Sequence, residues 1–255
     1  PPVPGPLHTD TEIDFLRRKE KAKIFPTAKK LVAPQGYINT DNVTIEDLVG
    51  KKVILVDFWT YSCINCQRTT PYLNAWYEKY RNQGLEIIGV HTPEFDFEKK
   101  YDNVLAAVKK FGIQYPVVQD NEYATWRAYE NRYWPRKYLI DIDGFIVYDH
   151  VGEGAYEATE RRIQQLLEER ARVLGAQEAI AKGTVAVPDT NRTYGKELTN
   201  EIYFGADRNS QLGSGVQGKV GEQTFPAPQK PAPHLVYLVG TWNITPEYAE
   251  AKSAD

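Results

Sequence analysis

Apolar residues change their spacing several times along the chain, and each change marks an element. Residues 53–59 (VILVDFW) form a near-continuous apolar run of strand length, the pattern of a strand buried on both faces. Leu73, Trp76, Tyr77 and Tyr80 then recur at helical spacing, in a helix that opens at the cysteines and stops at Gly84. Pro71 falls inside this helix and is expected to kink it. Residues 85–90 read as a second strand, 104–111 as a helix closed by Gly112, 115–118 as a short strand and 122–129 as a short helix. Asp143-Gly144 lies between the apolar stretches 137–142 and 145–148, which predicts a hairpin. Ile163, Leu166, Leu167, Arg170 and Leu174 share one face of a helix over 156–182, and a helical turn at 44–48 precedes the first strand. The alternation predicts an α/β fold: a mainly parallel central sheet, made mixed by the hairpin, with helices on both faces.

The ends differ from this middle. Residues 1–10 carry four prolines in the first six positions and read as an extended linker. Thr11 and Asp14 suggest a capping box for a short helix lined by Ile13, Leu16 and Ala22 and ending before Pro26. Arg17, Arg18, Lys19, Lys21 and Lys23 make this helix basic, as a solvated face or as a juxtamembrane tether. From residue 183 onward the helical signals stop, and eight of the 18 glycines fall there. Short strands are expected in this tail at 201–204 and 235–239. The chain therefore divides into a linker and helix (1–30), an α/β domain (31–182) and a β-rich tail (183–255).

Composition narrows the chemistry. Hydrophobic residues are 42% and charged residues 25%, the profile of a folded globular protein. A net charge of −3 argues against a nucleic-acid partner. No apolar run approaches the ~18 residues a spanning helix needs. The absence of methionine leads us to expect that this chain does not begin where its gene begins.

Both cysteines fall in Cys63-Ile64-Asn65-Cys66. Two cysteines and four scattered histidines do not compose a four-ligand zinc site, and two thiols do not staple a small domain. A redox pair remains, with no metal or other cofactor required. Cys63 is placed where a strand meets a helix, so that first-turn amides and the helix dipole favour its thiolate. Cys66, one turn deeper, is expected to stay protonated and then resolve the mixed disulfide. Asp57 interrupts the apolar run 53–59; burial would raise its pKa and suit it to take a proton from Cys66. The alternative is an aspartate at a strand edge, bonded to backbone.

Residues 56–66 (VDFWTYSCINC), Pro71 and residues 134–141 (WPRKYLID) resemble the thioredoxin superfamily, in its TlpA/ResA/DipZ branch. Residues 89–95 (GVHTPEF), 115–120 (YPVVQD), 131–135 (NRYWP) and 152–156 (GEGAY) are similar to DipZ-type proteins in particular. The resemblance covers about residues 31–175. It implies a thioredoxin-like fold, with Cys63 as nucleophile, Cys66 as resolving thiol and Asp57 as the buried acid. It places Pro135 in a cis-proline loop beside the disulfide and lets the backbone of Trp134 pair with an extended substrate. It aligns Glu94 with an active-site glutamate that tunes the cysteines; otherwise Glu94 is an exposed loop acid. Tyr61, Ile64, Asn65 and Trp134 are the expected substrate-facing residues, with Tyr133 at the rim and Trp59 in the core.

The resemblance further implies an extracytoplasmic thiol–disulfide oxidoreductase acting on protein thiols and disulfides, most readily as a reductase fed by a CcdA/DsbD-like membrane donor. A disulfide-forming oxidant is the alternative direction. Residues 198–245 look like the opening of a β-sandwich of carbohydrate-binding type, so the tail is expected to be a partial sandwich. A glycan- or protein-binding module carrying a redox domain is the competing function. A peroxidase is a third, disfavoured because such enzymes do not place a CxxC pair at the helix start.

Overall fold

A computed structural model describes residues 10–177, 179–187 and 201–253. The chain divides into two compact units, Pro1–Thr190 and Asn191–Asp255. In the first, a helix α1 (Asp10–Lys21) precedes strand β1 (Gly36–Ile38), helix α2 (Ile45–Leu48), β2 (Val53–Trp59), α3 (Ile64–Tyr80), β3 (Leu85–His91), α4 (Tyr101–Lys110), β4 (Val117–Gln119), α5 (Ala124–Ala128), β5 (Arg136–Ile140), β6 (Ile146–Val151) and α6 (Tyr156–Val173). The six strands form one mixed sheet in the order β1-β4-β3-β2-β5-β6. β2 pairs in parallel with β3 and antiparallel with β5.

Strand β2 organises the domain because both its faces are covered. Val53, Leu55 and Trp59 join one core cluster with Cys66, Leu73, Trp76 and Tyr80 of α3 and Ile163, Leu166 and Leu167 of α6. Ile54, Val56 and Phe58 join another with Ile45 of α2, Ile88, Val90 and Ile140. The twofold alternation of a strand puts Asp57 on the α3 side, between Leu55 and Trp59. Its six apolar neighbours in the strand each stabilise by about 2 kcal/mol on burial, which outweighs the few kcal/mol that one buried carboxyl costs.

Several sequence expectations are corrected. Strand β1 carried too few residues to register as a period, yet it closes one sheet edge by antiparallel pairing with β4. Helix α6 stops at Val173, before Gly175 at φ +63°, rather than running on to 182. Pro71 does lie within helix α3, which passes into a 3-10 turn at Arg81–Gln83 and is closed, as the sequence predicts, by Gly84 at φ +106°. Thr11 lies inside α1, not at its cap.

Arg17 and Lys21 of α1 turn toward the domain, while Arg18, Lys19 and Lys23 are exposed as a solvated face would be. Lys21 Nζ donates to Asp141 (2.6 Å), Asp143 (2.8 Å) and Glu169 (2.5 Å). Arg17 binds Asp143 through Nε and a terminal nitrogen, both at 2.7 Å. Chain continues onto the hairpin through hydrogen bonds from Ala28 N to Gly144 O and from Ile146 N to Pro26 O.

In the second unit, β7 (Gly221–Phe225), β8 (Gly240–Ile244) and β9 (Ala249–Ser253) form an antiparallel sheet in that order. Its small core holds Ala206, Leu212, Phe225, Leu238 and Ile244. The strands expected at 201–204 and 235–239 are not there; Val236 makes only an isolated bridge to Leu212. Of their apolar residues Leu238 alone enters the core, from irregular backbone, while Phe204, Leu235 and Val239 are exposed.

Replacing Lys21 leaves two buried carboxylates short of a partner. Lys21→Ala is expected to cost about 2 kcal/mol near neutral pH. Because Arg17 and Lys21 hold Asp143 well below the usual carboxylate range, this stabilisation exists above the unfolded pKa and is lost as pH falls. Urea unfolding at pH 7 and pH 3 checks both; an equal penalty at the two pH values contradicts it.

Candidate functional site

Cys63 caps the N-terminus of α3, with extended backbone at φ −68° and ψ 116°. It is half-buried, and Cys66, one turn on, is buried; both are free thiols. The Cys66 thiol donates a hydrogen bond to Cys63 and lowers the Cys63 pKa. That effect wins over burial, and the amides of Cys66 and Asn65 add to it, while Glu94 opposes it. Burial pushes Cys66 well above an ordinary thiol, and the negative charges of Cys63 and Asp57 push it further. Two like groups thus become one acidic and one reluctant thiol: the buried one donates to the half-buried one, and the first-turn amides of α3 add to the bias.

Asp57 lies beneath this pair. It is 2% exposed, and its Oδ1 has no hydrogen-bond partner. Burial pushes its pKa up to about 7, with Lys137 pulling the other way. The strand-edge alternative therefore does not hold: β2 is central in the sheet.

Lys137 escaped the sequence reading. It stands directly across from Asp57 in the β2–β5 register and is wholly buried. Its Nζ donates to Gly152 O at 3.0 Å. Burial lowers its pKa, against the pull of Asp57 and Cys66. A lysine within an apolar strand, answering an aspartate within another, was the available signal. On the other flank of Asp57 stands Gly89. A Cβ there would come within 2.9 Å of Trp59 Nε1 and 3.2 Å of the Tyr115 ring, so glycine lets the aromatic floor close in.

Facing Cys63 is the loop before β5. The Trp134–Pro135 peptide is cis. The Cys63 Sγ lies 4.0 Å from the Trp134 carbonyl oxygen. The Trp134 indole donates to Thr92 O at 2.9 Å and packs on Trp126 with ring centroids 4.3 Å apart. This fixes the carbonyl beside the thiol. Pro135 itself is buried, Tyr133 is exposed, and Ile64 is 54% exposed at the surface next to Cys63. Asn65 is half-buried in the first turn of α3. Tyr61 stacks on His91 at 5.6 Å and donates to Phe97 O at 3.3 Å. Trp59 is in the core. Glu94 is half-buried and close enough for its charge to act on Cys63.

Glu98 was also missed; it lies in a loop and carries no periodic signal. Its buried carboxylate accepts from Ser62 Oγ (2.6 Å), Ser62 N (3.3 Å), Glu94 N (2.6 Å) and Phe95 N (3.0 Å).

A mixed sheet flanked by helices, with a half-exposed thiol over a buried one and a buried acid below them, defines a thiol–disulfide oxidoreductase of thioredoxin-like fold. The AhpC/TSA family model matches residues 26–149. Protein DipZ of Mycobacterium tuberculosis is 39% identical over 238 residues, 90% of this chain and 32% of its own length. The chain thus spans about a third of the DipZ proteins it matches. Thiol-disulfide oxidoreductase ResA of Bacillus thuringiensis is 31% identical over 152 residues, 60% of this chain and 83% of ResA. The solution structure of a thioredoxin-like protein in its oxidised form superimposes with a TM-score of 0.53 at 27% identity, covering 58% of this chain and 98% of that one. The chain belongs to the thioredoxin-like thiol-disulfide oxidoreductases of the TlpA/ResA/DipZ type.

A carboxyl whose pKa is raised on folding favours the native state in acid. That advantage disappears as pH rises from about 4 through about 7. Relative to Asp57→Asn, the wild-type protein should lose up to about 4 kcal/mol across this window, the whole shift converted. Urea unfolding of both proteins at pH 4.5 and pH 8 tests this. A stability gap that does not widen toward pH 8 counts against it.

Proposed function

We propose that this protein reduces disulfides in protein substrates outside the cytoplasm. The observation that carries the reading is the contrast between the two thiols: Cys63 acidic and reachable, Cys66 buried and protonated. The Cys63 thiolate attacks a substrate disulfide. A Cys63–substrate bond forms and the distal substrate sulfur leaves as a thiolate. Asp57 then takes the Cys66 proton, and the Cys66 sulfur attacks Cys63 Sγ. The Cys63–Cys66 disulfide forms and the second substrate sulfur departs, so two electrons have passed to the substrate.

Around this exchange, an extended substrate segment pairs with the Trp134 backbone next to Pro135. Tyr61, Ile64 and Asn65 provide the surface around it, and Glu94 moderates the thiolate. Both cysteines of this sequence lie in the exchange pair, so the electrons return from a thiol outside it; we assign this to a CcdA/DsbD-like membrane dithiol. No helix among the described residues is long and apolar enough to cross a membrane. The similarity to DipZ over 90% of the chain supports the extracytoplasmic setting.

Three measurements test this. Cys66→Ser should accumulate mixed disulfides through Cys63 in an envelope extract, and Cys63→Ser should not; trapping only through Cys66 reverses the roles. Equilibration with glutathione should place the pair near the reducing end of the family, about −270 mV; a value near −120 mV makes the protein an oxidant. Asp57→Asn should slow resolution at pH 7 by about a hundredfold, the ordinary scale of a lost general base, read as persistence of the mixed disulfide in quenched-flow samples.

A further inference from the structure

The buried carboxylate of Glu98 has no part in the exchange chemistry, yet it touches both loops that frame Cys63. It lies at the third position of a 3-10 turn, Asp96–Lys99, and is wholly buried. One oxygen returns to the start of its own turn and accepts from the amides of Glu94 and Phe95. That is half of an ordinary capping box. The other oxygen leaves the turn and accepts from the hydroxyl and the amide of Ser62, 36 residues earlier in the chain and adjacent to Cys63. A second tie runs parallel: Tyr61 donates to Phe97 O. A capping residue needs only the first set. The second set joins the nucleophile's own loop to the loop that carries Glu94, whose charge acts on Cys63.

We propose that Glu98 is a positioning residue of the exchange reaction: its carboxylate fastens Ser62 to the Glu94–Phe95 amides and so holds the Glu94 charge at a set place relative to the Cys63 sulfur. The proposal rests on Cys63 being the nucleophile. Glutamine is the informative replacement. An amide presents one accepting atom and one donating group. Each arm of Glu98 takes at least one backbone amide, which can only donate, so whichever arm receives the NH2 group loses an amide bond, although the Ser62 hydroxyl can turn to accept.

The test is a double-mutant cycle read on the pH profile of Cys63 alkylation by iodoacetamide, with the modified cysteine located by mass spectrometry. In the wild-type background, Glu94→Gln should lower the profile's midpoint by about half a pH unit, because a repelling charge is gone. In the Glu98→Gln background the same change should move it by less than half as much, since Glu94 is no longer held in place. Loss of the Glu98 charge itself cancels within the cycle. Equal shifts in the two backgrounds, or no shift from Glu94→Gln in the wild-type one, overturn the proposal. A merely structural Glu98 would change urea stability and leave the Glu94 shift intact. Should Glu98→Gln fail to fold, Ser62→Ala removes only the hydroxyl arm and must weaken the coupling in the same direction. Cys63→Ser separates the two readings: alkylation near neutral pH that survives it refutes Cys63 as the nucleophile rather than the role of Glu98.

Discussion

The chemistry of this domain depends on a difference in hydration across one turn of helix α3. Cys63 sits at the helix start, where amides point at its sulfur and solvent reaches it. Cys66 faces the sheet, out of solvent, where burial outweighs the one backbone bond it receives from Thr60. The backbone imposes this difference: position 63 precedes the first helical residue, and position 66 falls on the face that packs against β2. Every other part of the site works on that inequality. Asp57 and Lys137 place a compensating pair of ionisable groups below the buried thiol. The Trp134 carbonyl and the Glu94 charge act on the exposed one.

The buried pair also shows how a sheet stores polar groups. Asp57 and Lys137 face each other on neighbouring strands and are pushed by burial in opposite senses, each toward its neutral form, while each favours the charged form of the other. Neither group alone would be tolerated cheaply in so apolar a layer. Together they keep a proton-accepting carboxyl near neutrality at a depth where water does not supply one.

Much of this was legible from residue order. The apolar run 53–59 with its single aspartate, the cysteine pair at the strand–helix junction and the Asp-Gly hairpin each have a local cause, and each stands where that cause put it. What escaped has a common reason. Strand β1 is three residues long, too short for a period to show. Lys137 acquires meaning only once β2 and β5 are in register. Glu98 works through contacts 36 residues away, and nothing near it in sequence announces them. In the tail, apolar residues at 235–239 suggested a strand because they were apolar; burial there is achieved without one.

The ion pairs of α1 fix where this helix joins the sheet. Asp141 and Asp143 follow the end of β5, whereas Pro135 immediately precedes its start. The five residues of that strand separate the two by roughly 17 Å at about 3.4 Å per residue. The contacts of α1 with the sheet therefore lie at its hairpin end, a strand length away from the cis-proline loop that faces Cys63.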